Sequence, residues 1–278
     1  MIKSILVGLD GSEHARTAMR YALWLGERLS ATVIGLHVVD IVAIEGSFFH
    51  DLSGSLGFEP YLDFSSKMRE VLHERGRHLL DEFRDHAAKA GVRFDTVLDM
   101  GIVANAVADR ARMADLVVIG HRGVNERFST GLLGSTAESV TRKCPRPVVI
   151  STAAFHPIAR ALLAYDGSER AASAMHAAAE FCVALSLPLT VLTVAKDADS
   201  GETVLGDARN YLASYPVEIH CVVQTGHAPE QIVGYIRKHG IDLLFIGAYG
   251  HSRIVEMVLG STTEYVLRNS ACPVFVNR

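Results

Sequence analysis

The chain has 278 residues, 49% of them hydrophobic and 21% charged, with a formal net charge of −4 and a pI near 6.3. Those values fit a globular chain with a real core, in one large domain or two of about 140 residues each, and they speak against general disorder. They also speak against nucleic acid, which calls for a basic stripe or patch, and against a membrane partner, since no apolar run reaches the roughly 18 residues of a span.

The N-terminus opens directly on a strand-like run, Ile2 to Leu9, without the layout of a signal peptide, so a cytoplasmic location is the expectation. A helix follows from about Ser12, with Ser12 as N-cap and Glu13 in the first turn. Ala15, Ala18, Met19, Ala22, Leu23, Gly26 and Leu29 then recur at helical spacing. A second strand is expected over Thr32–Val38. Residues 40–64 form an insert carrying Phe48, Phe49, Phe58, Tyr61 and Phe64 among glycines and serines. Its length suggests a lid or subunit contact, or an aromatic-anchored surface loop. The helix after it, about Ser65 to Ala90, places Met68, Leu72, Leu79, Phe83 and Ala87 on one face, which should dock on a sheet. A strand near Val92–Asp99, a helix near Ala104–Met113 and a strand at Leu116–Ile119 lead to a glycine loop. A further helix and a strand at Pro147–Ile150 complete the series.

The series then repeats. ILVGLDGSEHARTAM from Ile5 aligns with ALLAYDGSERAASAM from Ala161, so Asp10 matches Asp166 at an offset of 156. DLVVIGHRG from Asp115 aligns with DLLFIGAYG from Asp242 at an offset of 127, and PVVI at Pro147 matches PVFV at Pro273. The smaller second offset reflects the insert, present in the first copy alone. The copies are therefore read as domains at residues 1–153 and 157–278. Apolar strands alternating with helices predict an open parallel five-stranded sheet in each, with helices on both faces.

The second copy carries Gly247-Ala-Tyr-Gly250, nine residues, and then Gly260-Ser261-Thr262. Glycines let backbone approach a ligand, and a helix N-terminus offers free N–H groups and positive partial charge to phosphate. Strands one and four both end here, where open α/β sheets bind ligands. Taken singly, each glycine pair is an ordinary turn and each Gly-Ser an ordinary cap. Taken in order and twice over, they point to a nucleotide.

The spacing G-x2-G-x9-G-[ST], the opening DGS and the terminal PV strand resemble the universal stress protein family, here as a tandem pair. The resemblance covers nearly all of both copies apart from the region around residues 40–64. It implies a Rossmann-like fold of the adenine nucleotide alpha hydrolase type and an ATP-binding regulatory role in stress. It further implies that Asp166 contacts the nucleoside, that Val194 faces adenine through its backbone, and that Gly247 lies near ribose. Gly250, Gly260 and Ser261, with Thr262 beside them, would hold phosphates, and a magnesium ion would arrive with ATP. In the first copy, Asp10, Val38, Gly120, Gly123, Gly134 and Ser135 match those positions. Ten residues rather than nine separate Gly123 from Gly134, which makes the second copy the better expectation. Single-domain members commonly dimerise, so the two copies would form an internal pseudo-dimer. The terminal strands are the candidate contact, and a further homodimer is open.

The absences narrow the chemistry. No Gly-Lys-Ser/Thr, G-x-G-x-x-G or G-x-S-x-G occurs, and no catalytic residue stands out. Arg122, Arg127 and Arg253 are within reach of a phosphate but read as solvated. Thirteen histidines include no metal-ligand spacing, and Cys144, Cys182, Cys221 and Cys272 form no C-x-x-C pair, so reduced thiols are expected. The alternatives to a regulatory nucleotide binder are a slow ATP-hydrolysing or adenylate-transferring enzyme, or a ligand-free structural protein of the same fold.

Overall fold

The computed structural model describes residues 2–41, 58–123, 134–248 and 260–277, with side chains of the long second helix described from Ser66 onward. Most of the insert, including Phe48 and Phe49, lies outside the described residues. In the first copy the elements are β1 (Ser4–Gly8), α1 (Glu13–Leu29), β2 (Thr32–Asp40), α2 (Phe58–Lys89), β3 (Phe94–Gly101), α3 (Val103–Ala111), β4 (Leu116–Gly120), α4 (Ser135–Lys143) and β5 (Val148–Ser151). In the second they are β6 (Ala161–Ala164), α5 (Glu169–Leu185), β7 (Leu189–Ala195), α6 (Ala198–Leu212), β8 (Ile219–Thr225), α7 (Ala228–His239), β9 (Leu243–Gly247), α8 (Ser261–Asn269) and β10 (Val274–Asn277).

Local chemistry sets the helix ends alike in both copies. Ser12 caps α1 by accepting from Ala15 N, and Ser168 caps α5 by accepting from Ala171 N. At the other end Ser30 and Ser186 take the left-handed conformation, at φ 52° and 55°. Helix α2 begins at Phe58, earlier than its apolar pattern suggests, so Phe58, Tyr61 and Phe64 of the insert are helical. Among its described side chains, Gly76, Leu80, Phe83 and Ala87 in the C-terminal half are buried, whereas Met68 and Leu72 are only partly so. Phe83 packs where a Cβ on Gly35 would stand, 2.6 Å from its ring, so strand β2 needs a glycine at that point.

The strands form one sheet in the order β3-β2-β1-β4-β5-β10-β9-β6-β7-β8. Every pairing is parallel except the central one, where β5 and β10 run antiparallel with Val149 opposite Phe275. The two expected five-stranded sheets are thus fused into a ten-stranded one through the terminal strands. Helices α1, α2, α5 and α6 cover one face, and α3, α4, α7 and α8 the other. Both hydrophobic cores contain residues of both copies, so the halves share their interior. Phe275 packs on Phe245 at 4.8 Å between ring centroids and on Phe181 at 5.8 Å.

Helix α1 buries more than the face its pattern marks. His14, Thr17 and Tyr21 are also buried. Thr17 Oγ1 donates to the Ala153 carbonyl at 2.9 Å, and the Tyr21 hydroxyl accepts from His156 N at 3.1 Å. The connection between the copies is therefore held against the first helix.

Cys144, Cys182 and Cys272 are buried and Cys221 is partly exposed. Burial pushes the thiols of Cys182 and Cys272 up to about 12, which leaves almost no thiolate at neutral pH. Thiol labelling of the native protein should therefore modify Cys221, with the other three reacting only after denaturation; mass spectrometry of labelled peptides checks this.

Candidate functional site

Within each copy, β1 or β6 lies between the second and fourth strands, so the direction of strand progression reverses there. The crevice at that reversal is where an α/β sheet takes a ligand. Because β5 and β10 are antiparallel, the carboxyl ends of the two sets of strands point in opposite directions. The two crevices therefore open at opposite ends of one sheet.

In the first crevice Asp10 follows β1, and its carboxylate accepts from Ser12 N at 2.8 Å. The intervening Gly11 has φ 84°, a left-handed turn that suits glycine. The carbonyl just before Asp10 is pinned from the side: His37 Nδ1 lies 2.6 Å from the Leu9 oxygen, which makes Nδ1 the protonated nitrogen. Burial lowers the His37 pKa, so the ring is neutral there. The second copy builds the same support from different chemistry. Asp166 accepts from Ser168 N at 3.0 Å, Gly167 has φ 78°, and Thr193 Oγ1 donates to the Tyr165 carbonyl at 2.8 Å. His37 and Thr193 occupy matching positions. Sequence reading passed over both, although the repeat alignment places these two polar residues at the same point of mainly apolar strands.

The glycine loop returns to the same place. A Cβ on Gly123 would stand 2.8 Å from Asp10 Oδ2, so this loop closes directly on the carboxylate. Ser12 Oγ reaches the Arg122 carbonyl at 3.5 Å, and a Cβ on Gly134 would stand 3.3 Å from Arg122 Cα. Asp10, Gly123 and Gly134 are thus brought together, with Ser135 exposed at the first position of α4. Arg122 is partly buried rather than solvated; Arg127 and Arg253 lie outside the described residues.

Gly120 and Gly247 have a packing reason for being glycine. A Cβ on Gly120 would stand 2.8 Å from the His14 backbone, and one on Gly247 would stand 2.6 Å from the Arg170 backbone. These residues let the first helix of each copy lie on the fourth strand, whatever else they do. Gly260 differs. It caps α8 without a side-chain hydrogen bond, and among the described residues its Cβ position meets nothing closer than Thr263 Oγ1 at 4.0 Å. No described residue crowds that position. Gly250 lies outside the described residues. Thr263 is buried and its hydroxyl reaches the Gly247 carbonyl at 3.4 Å, tying α8 to the end of β9. Thr262 is partly exposed and Ser261 exposed, at an N-terminus whose first N–H groups have no intrahelical partner.

Val38 and Val194 stand near the ends of β2 and β7, opposite Asp99 and Gln224 in the neighbouring strands. The two copies diverge at this edge. Asp99 is held by Arg110 at 2.9 Å, which lowers its pKa, whereas Gln224 offers a neutral amide. The extra residue of the first glycine loop falls outside the described residues, but its helix remains seated. Gly134 N donates to the His121 carbonyl at 3.1 Å.

A Rossmann-like α/β fold, doubled, with a carboxylate after the first strand and a helix N-terminus following the fourth in each copy, is the class defined by these features. The universal stress protein family model matches residues 1–151 and 157–278, and the chain belongs to that family. It is 32% identical to a universal stress protein of Synechocystis over the full length of both chains. A universal stress protein of Mycolicibacterium smegmatis is 24% identical over 99% of this chain and 96% of its own. The crystal structure of a universal stress protein from Archaeoglobus fulgidus superposes with a TM-score of 0.75 at 23% identity, covering 98% of this chain and 97% of that one. That likeness extends the shared fold to the tandem arrangement. No described helix is long and apolar enough to cross a membrane.

Proposed function

We propose that this protein is an ATP- or adenine-nucleotide-binding regulator of a stress response, with one site per copy and the second copy as the principal one. The observation that carries this reading is the meeting, in the first copy, of Asp10, Gly123 and the N-cap of α4 beyond the first and fourth strands, with Asp166 and the N-terminus of α8 at the matching positions of the second copy. Asp10 and Asp166 would accept hydroxyl hydrogens of ribose. Val38 and Val194 would present backbone to the base, and the glycine loops with Ser135, Ser261 and Thr262 would hold phosphates. The Cβ-free space at Gly123 beside Asp10 and the open N-cap at Gly260 both suit a ligand that needs close backbone approach. In the first copy the Gly134 N–H is given to the His121 carbonyl and so is not offered to a phosphate, whereas the second copy keeps the unbroken nine-residue spacing.

A bound nucleotide would act by preferring one of two states, since a ligand shifts an equilibrium only through differential affinity. A divalent cation would arrive on the phosphates. We place this role in the cytoplasm, and we assign any further homodimer to the outer edges of β3 and β8, which end the sheet.

Denaturing the purified protein and analysing the released small molecules by mass spectrometry should yield an adenine nucleotide. Calorimetry on the stripped protein should show ATP binding. Finding neither refutes the reading, and ADP accumulating during incubation with ATP would move the protein to the enzymes.

A further inference from the structure

Helix α8 opens at Gly260-Ser261, at the phosphate end of the second crevice. Its other end reaches the first crevice, because the two copies run in opposite directions across the β5–β10 junction. There the Leu267 carbonyl accepts from Nε2 of His121, 2.8 Å away, and His121 belongs to the glycine loop of the first copy. Leu267 is among the last four carbonyls of its helix, which lack intrahelical donors, so an outside donor fills an obligatory need. At about 1.5 Å per residue, Leu267 lies about 9 Å along the helix from Ser261.

His121 does more than touch α8. Its backbone N donates to the Ser151 carbonyl at 3.2 Å, and its own carbonyl accepts from Gly134 N at 3.1 Å. One residue therefore joins the end of β5, the N-cap of α4 and the far end of α8. The ring also lies beside that of His14, with centroids 6.1 Å apart, which narrows its freedom to swing away. The link runs one way. The second copy has Ala248 at the matching position, fully buried and without a donor to return the bond. Ala248 keeps the backbone bond, donating to Asn277 at 2.8 Å, so the histidine side chain is what has been added.

We infer that the two sites are coupled through α8, with His121 as the positioning residue that transmits occupancy of the second site to the glycine loop and α4 N-cap of the first. This rests on the nucleotide reading above. Ligand at the N-terminus of α8 biases the position of the helix, and the Leu267 carbonyl carries that bias to His121 and, through its carbonyl, to Gly134. A first site already held toward its bound arrangement binds more tightly, which is positive cooperativity.

The test is calorimetric titration of the full chain with ATP and magnesium. In the wild type, the first site should bind at least about 5-fold more tightly with the second site filled than in Gly260→Val, where the second is blocked; couplings of this kind span roughly 5–150-fold. His121→Ala should erase that difference. His121→Gln should restore most of it, because its amide nitrogen takes up the position of Nε2. A loss of packing alone would not be rescued by glutamine. Equal first-site affinity in wild type and Gly260→Val, or a difference that persists in His121→Ala, overturns the coupling while leaving nucleotide binding intact. No binding at either site overturns the nucleotide reading and the coupling together.

Discussion

Gly260→Val should lower ATP affinity at the second site by at least 100-fold while leaving the thermal midpoint within a few degrees of the wild type. The two expectations come from the same geometry. The residue has φ −57° and ψ 144°, which valine adopts readily, and its Cβ position meets nothing within 4.0 Å among the described residues. Valine therefore costs the fold little. Its isopropyl group would instead stand at the mouth of the N-terminus, where a phosphate would need unobstructed N–H groups. Removing or blocking charge-assisted hydrogen bonds of this kind costs about 1.5–3 kcal/mol each, so two of them account for the expected loss. The comparison variant is Gly247→Val, which should fail differently. Its Cβ would stand 2.6 Å from the Arg170 backbone, so it should destabilise the protein as a whole rather than empty one site. Calorimetry and thermal unfolding on both variants separate the effects. If Gly260→Val binds two equivalents of ATP at wild-type affinity, the second site has been assigned to the wrong residues.

The contrast between those two glycines also shows what the sequence could convey. The repeat was legible because it is written in both patterns and motifs: DGS at Asp10 and Asp166, strand four at Leu116 and Leu243, and the terminal strands after Pro147 and Pro273. Strand and helix identities followed, since buried parallel strands read as apolar runs and helices as a 3.6-residue period. Spacing could not distinguish a glycine required by packing, such as Gly120 against the His14 backbone, from one that no described residue crowds, such as Gly260. That difference depends on what lies across the gap in three dimensions. The same applies to Thr17 and Tyr21, which fall off the apolar stripe of α1 yet are buried because the connection at Ala153–His156 lies over them, and to His14, buried against Gly120, Ser151 and His121. Helix α2 shows the reverse. Its stripe of Met68, Leu72, Leu79 and Phe83 is continuous, but of these only Phe83 is fully buried. His121 was invisible for a related reason: its partner is 146 residues away, in the other copy.

Phe275→Ala is expected to destabilise the whole chain by about 3–5 kcal/mol, the usual range for truncating a buried phenylalanine. Phe275 is 2% exposed and sits on β10, opposite Val149 of β5, at the one antiparallel joint of the sheet. Its ring meets Phe245 of β9 and Phe181 of α5, so truncation opens a cavity at the seam and removes two aromatic contacts. The core on that face continues through Ile158 to Val149 and Tyr21 of the first copy. A cavity there should therefore weaken both halves at once. Urea unfolding followed by far-ultraviolet circular dichroism and by Trp24 fluorescence distinguishes this from a local effect, because Trp24 is the sole tryptophan and lies on α1 of the first copy. If the halves fold as one body, both signals shift to the same lower midpoint although the substitution is in the second copy. A shift in the circular dichroism alone, with Trp24 unfolding at its wild-type midpoint, would mean that the ten-stranded sheet is two folding units joined only by backbone hydrogen bonds. It would also weaken the case for coupling through α8, since a rod transmits displacement only when both of its ends are anchored in a shared core.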